Sequence, residues 1–82
     1  MKIIKPEGMR FIRASLKISG ASIADKLHIT RMTVYNIETG RNTDLSKTIC
    51  ISIILLNALE KADIPQDLKD LYIENFCEEI DL

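Results

Sequence analysis

The sequence contains no tryptophan, two tyrosines, two phenylalanines, two cysteines, one histidine, three glycines and two prolines among 82 residues. Each scarcity closes off a class of function. Cys50 and Cys77 lie far apart with no CxxC pairing, and His28 stands in another segment, so zinc-ligand spacing is missing. Both cysteines are expected to be reduced and buried, the usual state of a free thiol in an apolar segment. No Gly-rich phosphate loop, GxSxG or HExxH pattern is present. An enzyme reading therefore has no catalytic constellation to stand on, and no cofactor or metal is expected. The longest uncharged run, Thr48 to Leu59, falls well short of the roughly 20 apolar residues of a membrane-spanning helix. Met1-Lys2-Ile3-Ile4-Lys5-Pro6 is broken by charge and proline, unlike a secretory signal. A cytoplasmic location without membrane contact is the expectation.

Neither sign of charge dominates: 11 Lys and Arg stand against 12 Asp and Glu, a formal net charge of −1. That total hides a division. Residues 1–43 carry eight basic and three acidic side chains, a balance of +5, whereas residues 44–82 carry three basic and nine acidic ones, a balance of −6. Such asymmetry is a sign of a charged partner that the net charge conceals.

What is present is helical periodicity in a single domain spanning residues 1–82. Pro6 suits a first helical turn, and a helix from about Pro6 to Lys17 places Met9, Ile12 and Leu16 on one face. Ser19 is a candidate N-cap for a short helix from about Gly20 to Leu27, with Ile23, Ala24 and Leu27 inward. Thr30 offers a second cap for a helix to about Thr39, with Val34 and Ile37 inward and Gly40 as its stop. Asp44 or Ser46 can begin a fourth helix through about Ala62. The alternation Ile49, Ile51, Ile53, Leu55 also fits a strand, but the length of the stretch and the stripe Leu45, Ile49, Ile53, Leu56 favour a helix. Beyond Pro65, an acidic first turn at Asp67 and the spacing of Leu68, Leu71, Tyr72, Phe76 and Ile80 predict a fifth, amphipathic helix.

Two short helices joined by a tight turn, the second capped by a hydroxyl and closed by glycine, form a helix-turn-helix pattern at about residues 19–39. Residues 9–42, from Met9-Arg10-Phe11-Ile12-Arg13 through Ile23-Ala24-Asp25-Lys26-Leu27 to Thr30-Arg31-Met32-Thr33-Val34-Tyr35-Asn36-Ile37-Glu38-Thr39-Gly40, resemble the Cro/lambda-repressor-type (XRE-type) helix-turn-helix family. The resemblance implies an all-α, five-helix lambda-repressor-like DNA-binding domain. Its small crossing residue would be Ala24, its apolar pegs Ile23, Leu27, Ile29, Val34 and Ile37, and its Glu-x-Gly ending Glu38-Thr39-Gly40. It further implies an ion pair between Arg13 and Glu38, a pairing that costs roughly 3–5 kcal/mol to break from one side when buried and ~0–1 kcal/mol when exposed. Two positions depart from the family: His28 stands where it prefers a turn glycine, and Gly20 where it often has a phosphate-touching Gln. His tolerates positive φ better than most residues.

Carried over by position, Arg31, Met32, Thr33, Tyr35 and Asn36 are the candidates for base contact. Arg31 has the geometry for guanine, Asn36 for adenine, and Met32 or the Thr33 methyl for a thymine methyl. For Tyr35, packing or a phosphate contact is an equal alternative. Lys17, Ser19, Ser22, Arg41, Asn42 and Thr43 are candidates for phosphate contact, while Lys26 reads as a solvated charge. The helices at about 44–82 would complete the core. The apolar breadth of the fourth suggests a homodimer through Ile51, Ile54, Leu55, Ile73, Phe76, Cys77 and Ile80, the alternative being a monomer whose last helix covers the fourth. The implied function is a sequence-specific transcriptional regulator, a repressor of prophage, mobile-element or restriction-modification type, binding double-stranded DNA and, if dimeric, a palindromic operator. The competing reading is an antitoxin-like or accessory module whose acidic helix, Asp67 to Leu82, binds a protein partner.

Overall fold

A computed structural model describes residues 1–81. Their order is β1 (Lys2–Ile4), α1 (Pro6–Ser15), α2 (Gly20–Leu27), α3 (Arg31–Glu38), α4 (Leu45–Lys61), α5 (Gln66–Phe76) and β2 (Cys77–Glu79). The protein is thus mostly helical, with a small two-stranded ribbon that the periodicity did not announce.

Local chemistry explains where most helices begin. The Ser19 hydroxyl accepts the Ser22 N–H at 3.0 Å, the Thr30 hydroxyl accepts that of Thr33 at 3.1 Å, and the Asp44 carboxylate accepts that of Lys47 at 3.1 Å. Each satisfies a backbone donor that the helix itself leaves free. The hydrogen bonds from Lys47 hold the Asp44 carboxyl below the usual carboxylate range.

The first three helices end alike. Lys17 (φ 58°), His28 (φ 55°) and Gly40 (φ 78°) are left-handed, and each is followed by a residue whose N–H reaches back into the last turn. These bonds run from Ile18 to the Arg13 carbonyl, from Ile29 to Ala24 and from Arg41 to Asn36, at 3.0, 3.0 and 2.8 Å. This is the Schellman arrangement. It stops α1 at Ser15, two residues before the expected end, because Lys17 takes up the reversal that a glycine would usually supply.

The core joins Ile4 of β1, Met9 and Ile12 of α1, Ile23 and Ala24 of α2, Val34 and Ile37 of α3, and Ile51 and Leu55 of α4. The region 45–61 is a helix, as favoured over a strand, but its inward face is Thr48, Ile51, Ser52, Leu55 and Leu59. Leu45 and Ile53, expected inward, are exposed. A helix apolar nearly all round leaves its face to be chosen by polar anchors, and here buried Ser52 is that anchor: its hydroxyl accepts the Ile4 N–H at 3.0 Å.

The last helix was expected to reach Ile80; it ends at Phe76. Cys77–Glu79 instead pairs antiparallel with Lys2–Ile4, in the register Lys2 to Glu79, Ile3 to Glu78 and Ile4 to Cys77. The Lys5 N–H also donates to the Phe76 carbonyl at 2.7 Å. The helical spacing of Phe76 and Ile80 yields to a partner strand at the other end of the chain, which offers backbone hydrogen bonds and basic side chains to an acidic segment. The same turn of chain brings α5 hard against α1. A Cβ on Gly8 would lie 2.5 Å from the Phe76 Cβ, so only glycine fits there.

Candidate nucleic-acid interface

The site builds outward from Arg13 on α1. Its Nε and Nη2 donate to the two Glu38 carboxylate oxygens at 2.8 and 3.1 Å, and Nη1 donates to the Ile18 carbonyl at 3.1 Å. The two side chains retain only 17% and 4% of their exposure. One planar guanidinium thereby ties α1, the end of α3 and the chain entering α2 together, a fork that lysine could not provide. Ala24 is buried against the neighbouring helix, and Ile29 is half-buried in the turn that follows His28. These contacts fix α3 relative to the rest of the fold, with Val34, Ile37 and Glu38 turned inward.

The other face of α3 is open. Arg31, Met32 and Tyr35 are exposed, while Thr33 and Asn36 are half-buried. Thr33 differs from the other four candidates, because its hydroxyl lies 2.9 Å from that of Thr30 and its N–H is the capped donor. Its polar atoms already serve the helix start. Asn36 contributes its backbone carbonyl to Arg41 and Asn42 at 2.8 and 3.0 Å, folding the following loop back onto α3. That fold places the Arg41 guanidinium 5.8 Å from the centre of the Tyr35 ring. The two side chains, read separately from the sequence, form one cation–π unit at the rim of the face.

The remaining flanking candidates divide by what they already do. Ser19 caps α2, Ser22 is the residue so capped, and the Asn42 side chain accepts the Asp44 N–H at 2.9 Å. Lys17 and Thr43 are exposed, as is Lys26. A Cβ on Gly20 would meet only atoms at 3.9 Å or beyond, so its glycine is not a steric requirement.

The proposed dimer surface needs correction. Ile51 and Leu55 are fully enclosed in the chain's own core and have nothing to offer a second copy. Phe76 lies against Phe11, with ring centres 4.9 Å apart, and Cys77 sits opposite Ile4 in the ribbon. Ile73, with Leu56 and Leu59, lines a groove of about 290 Å³ between α4 and α5. Ile54 and Ile80 are half-buried. Exposed apolar side chains are spread over several elements, Met1, Leu45 and Ile53 among them; on α1 and α5 they are Phe11, Leu68 and Leu71, the first and last each at 50%, and the half-buried Tyr72 has its ring centre 5.5 Å from that of Phe11. The exposure of Leu68 and Leu71 was not expected, since both belong to the apolar stripe that predicts α5 as amphipathic.

The cysteines also differ from expectation: Cys50 is exposed and Cys77 half-buried. Burial pushes the Cys77 thiol up, against the opposing pull of Lys2 and Lys5. Among the described residues no cluster of three or more His, Cys, Asp or Glu side chains could hold a metal ion, and no helix is long and apolar enough to cross a membrane. Comparison with protein-family models, with curated proteins and with solved structures found no match.

Proposed function

We propose that this chain is a lambda-repressor-like helix-turn-helix protein that binds double-stranded DNA in a sequence-specific way and represses transcription by occupying its site. The observation that carries this reading is the outward face of α3, where Arg31, Met32 and Tyr35 stand exposed on a helix held from behind by the Arg13–Glu38 pair. A helix so braced presents its first turns to base edges in a major groove. The +5 balance of residues 1–43 supplies the attraction for phosphate. The resemblance of residues 9–42 to the XRE-type family supports the same assignment.

The test is selection of bound duplexes from a random DNA pool, followed by titration at several salt concentrations. Affinity should fall with a slope of about −0.9 per neutralised phosphate, and Arg31→Glu should abolish binding while leaving the circular dichroism spectrum and melting curve unchanged. A flat salt response, or full binding by Arg31→Glu, overturns the proposal. A homodimer on a palindromic site belongs to the same reading, with its contact moved to Phe11, Leu68, Leu71 and Tyr72. Recovery of an inverted repeat and sedimentation as a dimer are the expected results.

That exposed patch also favours a second reading. Leu68 and Leu71 lie among Asp67, Asp70 and Glu74 on α5, a combination suited to a protein partner with a basic rim. If substitutions there abolish activity while Arg31→Glu does not, the interaction-module reading replaces the first.

A further inference from the structure

α4 and α5 each pack against α1 but scarcely touch one another, so the space between them stays open as the groove of about 290 Å³. Its apolar wall is buried Leu59 with half-buried Leu56 and Ile73. Three charged side chains line it: Lys2 from β1, Glu60 from α4 and Lys69 from α5. Gln66, also at the rim, donates its amide N–H to the Asp70 carboxylate at 2.9 Å. Lys69 is half-buried, which is uncommon for lysine, and one of its three donors goes to the Glu60 backbone carbonyl at 2.9 Å. Among the described residues neither Lys2 nor Lys69 forms an ion pair. Glu79, opposite Lys2 in the ribbon, has its carboxylate 3.2 Å from the Met1 ammonium instead. Two ammonium groups therefore border an apolar trough, and the Glu60 carboxylate at the same rim pairs with neither.

An apolar wall with a few convergent polar groups is the usual make-up of a small-molecule site. Here the wall suits a hydrocarbon body, and the remaining Lys69 donors suit an anionic head, because charge-assisted hydrogen bonds are the strong ones. Two cations and one anion at the rim match a single negative charge better than two. At roughly 30 Å³ per non-hydrogen atom, the volume a water takes in the liquid, the groove holds about ten such atoms. We propose that the groove between α4 and α5 is a binding site for a medium-chain aliphatic carboxylate, with its hydrocarbon against Leu56, Leu59 and Ile73 and its carboxylate between Lys69 and Lys2. The groove shares no residue with the candidate nucleic-acid interface, so the inference stands apart from DNA binding.

The experiment titrates the full chain, labelled with nitrogen-15, with octanoate, octanol and octylamine while amide chemical shifts are followed. Octanoate should give saturable shifts centred on Leu59, Glu60, Lys69 and Ile73, with a dissociation constant of about 0.1–1 mM for a ligand of this size. Octanol should bind about tenfold more weakly, and octylamine should give no saturable shift there, since the head must meet ammonium groups. Lys69→Met should weaken octanoate about tenfold and leave octanol unchanged, while Lys2→Met, on the exposed strand, should weaken it less. Glu60→Gln should tighten octanoate severalfold, because it removes a like charge from the rim and keeps the backbone carbonyl that holds Lys69. The amide spectrum of each variant reports its folding in the same measurement. Octanol binding as tightly as octanoate overturns the proposal, as does octanoate affinity unchanged in both lysine variants. Shifts centred on Phe11, Leu68 and Leu71 instead would show association with exposed apolar side chains and overturn it equally.

Discussion

Arg13 and Glu38 show how much can hang on one pair of side chains. Three hydrogen bonds from one guanidinium join segments that would otherwise meet only through apolar contact. Removing either partner leaves a charge with little access to water, so Arg13→Ala should cost about 3 kcal/mol, the lower end of the range for buried pairs because the arginine keeps some exposure. The double variant Arg13→Met/Glu38→Leu should recover most of that loss, since it leaves no unpaired charge. Urea denaturation of both proteins checks it; equal stability of the single variant and the parent would make the pair ornamental. Gly8 is the apolar counterpart. With Phe76 where its Cβ would lie, Gly8→Ala should cost about 1–3 kcal/mol through displacement of α5 from α1, read as a lower thermal midpoint. The two residues differ in legibility. The ion pair follows from a resemblance covering both positions, whereas nothing near Gly8 in the chain announces a phenylalanine on the last helix.

At the scale of elements, the sequence is most informative where cause and effect lie within a turn. Ser19, Thr30 and Asp44 cap helices through partners three residues on, and all were visible as hydroxyl or carboxylate signals. The face of α4 and the end of α5 were not, because Ser52 finds its partner on β1 and Cys77–Glu79 pairs with the first residues of the chain. In the candidate site the helical pattern placed Val34 and Ile37 inward, while Arg31, Met32 and Tyr35, which are exposed, were named by the resemblance. The withdrawal of Thr33 into the cap and the stacking of Arg41 on Tyr35 depend on side-chain geometry that the period does not contain. The helix ends yield a prediction of their own. His28 holds a left-handed conformation that costs a side chain with a Cβ about 1–2 kcal/mol, part of which a glycine returns as unfolded-state entropy. His28→Gly should therefore stabilise the protein by about 0.5–1 kcal/mol. A lowered melting temperature would mean that the imidazole makes a contribution beyond its backbone.

On the scale of the whole molecule, the two halves of the sequence do not separate into two bodies. The acidic segment returns to pair with the basic first strand, Lys2 facing Glu79 across the ribbon, so opposite charges meet on the side of the fold built by both chain ends. Asp67, Asp70 and Glu74 on α5 remain exposed and have no hydrogen-bonding role in the core. In a DNA-binding protein such a surface would repel phosphate in orientations that bring α5 to the duplex. It should therefore weaken non-specific binding more than specific binding. The variant Asp67→Asn/Asp70→Asn/Glu74→Gln should gain affinity for random-sequence duplex at low salt, and the gain should vanish as salt screens it, while the ratio of specific to random affinity falls. Equal gains for both duplexes would show a uniform field without orienting effect. No gain for either would place the acidic helix outside DNA binding altogether and direct attention to a protein partner at Leu68 and Leu71.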